Sequence, residues 1–337
     1  MRTPRSPFPQ ILILGVSAIV VASTIARAQG MVFTHDESFS YVYHVGASVQ
    51  AIVQYNIGVA PSNNHLLNTL LMKLAAAVFG VSELALRSPN LLAQWMYLLA
   101  SFLILRRLSH PIVMLAGFII LNTNPLALDY FALARGYGLS LGFILLSLYF
   151  CTRHQASRSA ADLFFASFFG MLAVLSSMPA LHFYLALLVV LFVITAARAF
   201  YIDHEGRELW KRWLNLGRAS WPLAVNTFIL YVIMWEPLWK LKRLGEFYYG
   251  GKAGFWDDTV LSLIRASLRG VSYEATLLWP LQLFILVIIG GSLSLLLARL
   301  ARRHIETALT SLSALITAIT LLTAASIIVQ HYLTDTL

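Results

Sequence analysis

Charged residues are scarce in this chain. They make up 12% of its 337 residues, while 59% of the residues are hydrophobic and the mean hydropathy is +0.74. A soluble domain carries roughly 25% charged residues. No hydrophilic segment is long enough to form such a domain, and apolar runs recur along the whole length. The composition therefore predicts an all-α, polytopic membrane protein, with residues 1–337 forming a single transmembrane domain.

Other absences narrow the chemistry. The single cysteine, Cys151, excludes a disulfide framework and any cysteine-based metal cluster. No glycine-rich loop of the P-loop or Rossmann kind occurs, which argues against nucleotide-driven chemistry. The pI near 9.8 could indicate nucleic acid as a partner, but the topology offers a better explanation.

The apolar segments predict about nine transmembrane helices and a one-sided charge distribution. We place the spans at 11–28, 88–105, 110–126, 138–152, 161–178, 180–199, 219–238, 277–298 and 306–330. With the N-terminus inside, the inner connections hold 14 of the 24 Lys and Arg and 5 of the 15 acidic residues. The whole formal net charge of +9 then lies on the inner side, which is the positive-inside bias. No nucleic-acid partner is needed.

Two large segments are predicted outside, 29–87 and 239–276. Within the first, residues 64–80 combine a polar and an apolar stripe at helical spacing, which is typical of an interfacial helix rather than a span. The polar stripe consists of Asn64, His65, Asn68, Thr69 and Lys73. The sequence "ARAQG" near residue 28 also resembles a signal-peptide cleavage site. Whether the first helix is cleaved or retained, residue 36 is expected outside.

The stretch "VFTHDESFSY", residues 32–41, places His35, Asp36 and Glu37 side by side at the predicted membrane edge. A carboxylate there can act as a general base that removes a proton from a hydroxyl. The two acids would equally suit the N-terminus of the helix that follows, as caps. A divalent metal is also possible, although no ligand spacing enforces one.

Two further external clusters contain ionisable groups. Asp129, Arg135 and Tyr137 lie where one predicted span ends and the next begins, a depth at which such groups are costly and often functional. The alternative is an ordinary interfacial loop with an Asp–Arg pair. The second external segment carries basic residues that could bind a lipid phosphate or form a solvated loop. These residues are Lys240, Lys242, Arg243, Lys252, Arg265 and Arg269.

The order of these features resembles a known family. An Asp-Glu pair follows the first span, then comes "PSNNHLLNTLLMKLAAAVFGVSELALRSPNLLA" at 61–93, and then "LALDYFALARGYGLSL" with Arg135 and Tyr137. This is similar to the membrane-embedded glycosyltransferases of the GT-C class. Within that class the chain most resembles the bacterial branch related to protein mannosyltransferases and lipid A aminoarabinose transferases.

The resemblance implies a sugar donor on a polyprenyl phosphate, used on the periplasmic face of the bacterial inner membrane. Asp36 then corresponds to the catalytic acid, with Glu37 as its neighbour and Asp129 as a second external acid. Arg135 corresponds to a phosphate contact. The further substrate-binding residues that we expect are His35, Asn64, His65, Tyr137, Lys242, Arg243, Arg265 and Arg269.

One required carboxylate with basic residues suits inverting transfer from a phosphate-linked sugar. Such a donor needs no acid to protonate its leaving oxygen, because a phosphate leaves readily once its charge is held. The acceptor could be a lipid, a glycan or a protein. A transporter or flippase of lipid-linked sugars is the alternative, as is a catalytically inactive truncated relative, since family members commonly continue beyond this length. Gly136 stands where other members often carry a bulkier residue or proline, and we expect a more mobile loop there.

Overall fold

The computed structural model describes residues 8–108, 110–202, 208–246, 252–268, 274–301 and 311–334. These residues form fourteen α-helices and no β-strand. In chain order the helices are α1 (Phe8–Gly30), α2 (His35–Phe39), α3 (Val49–Val53), α4 (Leu66–Phe79), α5 (Glu83–Leu105), α6 (Pro111–Asn122), α7 (Pro125–Phe131), α8 (Gly136–Ser157), α9 (Ala160–Ser176), α10 (Ala180–Ala197), α11 (Leu209–Leu244), α12 (Ser262–Ser267), α13 (Glu274–Ala301) and α14 (Leu312–Thr334). The all-α prediction is therefore confirmed.

Each of the nine predicted spans falls on helical structure, although the number that crosses a membrane stays a prediction. Among the described residues, five helices are long and apolar enough to span a bilayer, and a bent pair makes a sixth candidate. The five are Pro9–Gly30, Glu83–Leu105, Ala180–Tyr201, Thr276–Leu295 and Leu312–Leu333. Helix α9 is apolar but shorter. The predicted spans 138–152 and 219–238 lie within α8 and α11, and 306–310 lies outside the described residues.

The predicted span 110–126 is a broken helix. Helices α6 and α7 meet at a bend of 57°. Asn124 precedes the second helix and caps it, because its side chain accepts a hydrogen bond from the Ala127 amide at 3.1 Å. Pro125 follows, and proline disfavours helical geometry in the residue before it. The break places Asp129 on the short helix α7.

The described residues fall into two compact units, each built from several stretches of chain. The first comprises Met1–Tyr149, Leu172–Met178 and Ile233–Phe247. The second comprises Phe150–Met171, Pro179–Val232 and Tyr248–Leu337. In the second unit α10 packs along α14, and His182 lies 2.8 Å from Ser326 across that contact. The predicted Asp36, Asp129 and Arg135 all belong to the first unit.

Helix α4 confirms the predicted helix at 64–80 and shows which face is buried. The polar side chains of Asn68 and Thr69 are buried. Leu74, Val78 and Phe79 are exposed. The outward face is therefore apolar, as a helix in contact with lipid requires. Its position in the membrane interface stays a prediction.

Candidate functional site

A fully buried ion pair lies beneath the "HDES" stretch. Thr34 caps α2, and Glu37 completes a capping box with it, since the Thr34 amide donates to Glu37 Oε2 at 2.9 Å. Arg87, from the beginning of α5, donates to Glu37 Oε1 at 2.8 Å through Nε and to Oε2 at 2.9 Å through Nη2. The capping interpretation is therefore confirmed for Glu37, the second of the two acids.

Every polar atom of this pair has a partner. The remaining Arg87 hydrogens bond the carbonyls of Ala28 and Met31, both at 2.7 Å, and that of Val32 at 3.2 Å. The guanidinium thus uses all five of its donors. Glu37 Oε1 also accepts from the Ala134 amide at 2.7 Å. Both side chains are 0% exposed.

The pair therefore ties four parts of the chain together: the end of α1, the residues before α2, α5 and the segment after α7. Burial by itself raises the pKa of Glu37. The hydrogen bonds from Arg87, Ala134 and Thr34, and the charge of Arg87, outweigh that effect and hold the pKa below its usual value. Glu37 is predicted as catalytic from the sequence, but its oxygens are fully occupied. Its geometry instead fits a residue that fixes its neighbour, Asp36.

Asp36 lies at the surface beside the guanidinium of Arg135. Its side chain is 57% exposed, and its Oδ2 lies 3.5 Å from Arg135 Nη2. Asn63 links the two residues, since it accepts from Arg135 Nη1 and donates to the Asp36 carbonyl at 3.4 Å. His35 lies 3.5 Å from Asp36 and is 91% exposed. The structure therefore brings together an accessible carboxylate and a largely buried arginine, which the sequence analysis assigned to two separate clusters.

His65 and Tyr137 extend this group. The Arg135 guanidinium lies over the Tyr137 ring at 5.6 Å, and the His65 ring meets Tyr137 edge-on at 5.0 Å. His65 Nδ1 is 3.1 Å from the Ser176 carbonyl. We call Asp36, Asn63, His65, Arg135 and Tyr137 the Arg135 cluster. Burial, and to a lesser degree the charge of Arg135, lowers the pKa of His65 to about 3, so its ring is neutral.

Buried amides hold the segment that carries Arg135. Asn68 donates to the Ala134 carbonyl at 3.0 Å and accepts from Asn90 at 2.8 Å. Asn90 in turn accepts from the Leu139 amide at 2.9 Å. Residues on both sides of Arg135 are thus hydrogen-bonded to α4 and α5. These bonds restrict where the Arg135 guanidinium can lie.

Backbone approaches very closely at Gly136. A Cβ atom there would lie 1.7 Å from the Ser176 carbonyl oxygen and 2.9 Å from His65 Nδ1. The absence of a side chain lets Ser176 reach His65. The sequence suggests that this glycine makes the loop mobile. In the structure, its role is instead to leave room for the Ser176 carbonyl.

The side chains of two other predicted site residues have partners outside the cluster. Asn64 is buried, and its side-chain amide donates to the Ile52 carbonyl at 2.9 Å and accepts from the Thr69 hydroxyl at 2.9 Å. These contacts give Asn64 a structural role. Asp129 pairs with Arg27 at 2.6 Å. Lys242 and Arg243 occupy the exposed last turn of α11.

Two predicted site residues remain. Arg265 lies on α12 in the second unit, and Arg269 lies outside the described residues.

Three residues that shape this site are hard to identify from the sequence. Arg87 and Asn90 stand in the 61–93 motif without a role, and Asn63 is only a neighbour of Asn64. An arginine one turn into an apolar helix is a signal for a buried partner. Nothing in the sequence identifies that partner as Glu37, which lies 50 residues earlier.

The cluster offers few side-chain ligands for a metal. No group of three or more His, Cys, Asp or Glu that could hold a metal occurs in the described part of the chain. At the exposed edge of the cluster, His35 and Asp36 supply two such side chains, and Glu37 beside them is bound by Arg87. Two ligands fall short of a structural zinc site, whereas Mg²⁺ shared with a substrate phosphate needs only one or two carboxylates.

The architecture is that of an all-α, multi-pass membrane protein with a polar site in its first unit. Residues 65–205 match the family model described as dolichyl-phosphate-mannose-protein mannosyltransferase. This match confirms the resemblance to GT-C glycosyltransferases. The matched residues include Arg87 and Arg135, and Asp36 precedes them. Comparison with curated proteins and with solved structures gave no match.

Removing Arg87 should cost far more stability than removing an exposed partner. Arg87→Met leaves the Glu37 carboxylate buried and unpaired, which should lower the free energy of unfolding by about 3–5 kcal/mol. Lys211→Met removes a pair with Glu208 whose side chains are 52% and 64% exposed, so the loss should stay below about 1 kcal/mol. Thermal unfolding midpoints in detergent would measure both. Equal midpoints would contradict the role of the buried pair.

Gly136→Ala should destabilise the first unit, because the methyl group has no space beside Ser176. A loss of about 1–3 kcal/mol is expected. Gly217→Ala is the matched control: Gly217 also lies in a helix, and a Cβ atom there would meet nothing within 4 Å. That change should be neutral or stabilising by up to about 1 kcal/mol. A lower unfolding midpoint for Gly136→Ala, without a decrease for Gly217→Ala, would support the close approach between Gly136 and Ser176. An unchanged midpoint for Gly136→Ala would refute it.

Stability should also fall with acidity through two histidines. Burial lowers the pKa of His44 and takes that of His65 to about 3. The unfolded chain therefore binds these protons first, and the stability present above about pH 6.5 is lost as pH falls below it. His65→Asn should reduce the drop in unfolding midpoint between pH 7.5 and pH 5. Gly217→Ala, which changes no ionisable group, should leave it unchanged. Identical drops in the two variants would exclude His65 as a source.

Proposed function

We propose that this protein is a GT-C-type glycosyltransferase that moves a sugar from a polyprenyl-phosphate donor to an acceptor hydroxyl, with inversion. The observation that carries this proposal is the pairing of an accessible Asp36 with a held Arg135 at 3.5 Å. The matched family is named for transfer of mannose from dolichyl phosphate to protein. We extend that donor class, and not the protein acceptor, to this chain by analogy.

Arg135 would receive the donor phosphate. Its contact with Asp36 is long for a charged hydrogen bond, which is typically about 2.7–2.9 Å. An incoming phosphate could therefore replace the carboxylate as its partner at little cost. Asn63 and Tyr137 hold the guanidinium from two other sides, so it would be ready to stabilise the charge that develops on the leaving group.

Asp36, released from Arg135, would act as the general base. It would take the proton from the acceptor hydroxyl while that oxygen attacks the anomeric carbon. The new carbon–oxygen bond forms as the bond to the phosphate oxygen breaks, and the polyprenyl phosphate leaves with the electron pair. Attack opposite the leaving group inverts the anomeric configuration. Glu37, bound by Arg87, would fix the backbone position of its neighbour.

The location follows from charge. The positive-inside bias predicts that residues 29–87 lie on the outer side, so we place the site on the periplasmic face of a bacterial inner membrane. The exposed apolar face of α4 agrees with a site at the headgroup plane, where the phosphate of a lipid-linked donor lies. The exposed Lys242 and Arg243 are candidates for further contact with that phosphate.

The test is sugar transfer by membranes that contain equal amounts of each variant. Wild-type membranes given polyprenyl-phosphate-[14C]mannose, the sugar of the matched family, should incorporate label into an endogenous acceptor. Asp36→Asn keeps the shape but removes the base, and should lower the rate about 100-fold or more. Glu83→Gln, at an exposed carboxylate outside the cluster, should leave the rate unchanged.

Each contrary result points to a different revision. Transfer by Asp36→Asn within a few-fold of wild type would rule out Asp36 as the base and direct attention to Asp129. Movement of the labelled lipid across the membrane without any transfer would favour a flippase. A wild type that neither transfers nor moves any of several labelled polyprenyl-phosphate sugars would favour an inactive relative.

A further inference from the structure

His65 has one ring nitrogen that is committed and one that is available. A carbonyl oxygen only accepts hydrogen bonds, so the contact with Ser176 at 3.1 Å requires the proton to be on His65 Nδ1. In a neutral ring Nε2 then carries a lone pair and can only accept. No described residue donates to Nε2. Although the ring is largely buried, Nε2 is not among the fully buried polar atoms that lack a partner in the described residues, so it keeps an opening for a ligand.

The close approach at Gly136 secures this tautomer through the packing. Ser176 reaches His65 only because residue 136 has no side chain. The ring is braced from another direction by Tyr137 at 5.0 Å, and the same tyrosine carries the Arg135 guanidinium on its face. The orientation of Nε2 is therefore fixed by contacts around the Arg135 cluster.

Because Nε2 can only accept a hydrogen bond, its ligand must be a group that donates one. A phosphate diester oxygen cannot donate a hydrogen bond at neutral pH, so Nε2 is not a second phosphate contact beside Arg135. A hydroxyl group can donate, and an acceptor left without a donor when substrate binds would weaken that binding. Sites built to bond a hydroxyl also discriminate strongly against analogues that lack it.

We propose that His65 is a substrate-binding residue whose Nε2 accepts a hydrogen bond from a sugar or acceptor hydroxyl, while Nδ1–H is anchored on Ser176. This deepens the proposed transferase function and rests on it. Within the site, Arg135 then binds the phosphate end of the donor, and His65 selects for a hydroxyl.

Two substitutions separate the ring nitrogens. The amide of His65→Asn can replace Nδ1–H toward Ser176 but offers nothing at the position of Nε2. The longer His65→Gln can place its Oε1 acceptor near Nε2 but loses the anchor. We expect kcat/KM with polyprenyl-phosphate-[14C]mannose to fall about 10- to 100-fold in the Asn variant. It should fall clearly less in the Gln variant, although the Gln variant is the less stable of the two in thermal unfolding.

A binding measurement identifies the source of the hydroxyl. Purified wild type and His65→Asn are titrated with the labelled donor without acceptor. Weaker donor binding by the variant assigns the hydroxyl to the donor sugar, while unchanged donor binding with lowered kcat assigns it to the acceptor. Either result, with Gln above Asn in activity, supports the proposal.

The opposite ranking would overturn it. If Asn retains activity and Gln loses it, the bond to Ser176 is the whole contribution of His65. Equal activity of both variants and wild type would refute any role in substrate binding. These failures are seen against an active wild type, whereas an inactive wild type that binds no donor would instead refute the proposed function.

Discussion

The ion pair between Glu37 and Arg87 is the constraint on which the first unit depends. Both side chains are completely buried, and they are flanked by the apolar cluster that contains Leu86 and Ala134. Charges in such surroundings are tolerated only when every hydrogen-bonding group is satisfied. Here the guanidinium donates to three carbonyls from the end of α1 and the chain that follows it. The carboxylate accepts from two backbone amides. Distant segments are thus held in one arrangement.

The division of labour between two adjacent acids follows from that pair. Asp36 and Glu37 are chemically alike and consecutive, yet one side chain is 57% exposed and the other 0%. On the first turn of α2 their side chains point in different directions, one toward Arg87 and one toward Arg135. The buried acid fixes the backbone, and the exposed acid remains accessible for chemistry. The same separation applies to the two arginines, since Arg87 is fully satisfied and Arg135 pairs only loosely with Asp36.

The close approach of two backbone segments, at Gly136 and Ser176, is the second feature that orders the site. Gly136 admits the Ser176 carbonyl, which orients His65, and the Asn68–Asn90 network fixes the chain on both sides of Arg135. These contacts use backbone groups as partners. The proposed glycosyl-transfer site would need such rigidity, because positioning and charge stabilisation supply much of the rate when the leaving group is a phosphate.

The sequence by itself determined the all-α membrane character and the helices, because hydropathy and helical periodicity are encoded in neighbouring residues. It placed Asp36 in one external cluster, and Arg135 and Tyr137 with Asp129 in another. It could also indicate capping by Glu37. Only the tertiary structure decided that Glu37 is bound by Arg87, that Asp129 pairs with Arg27 and that Gly136 lets Ser176 reach His65. The first of these contacts joins residues 50 positions apart, and the last joins residues 111 positions apart. Such partners are chosen by packing, and no local pattern records them.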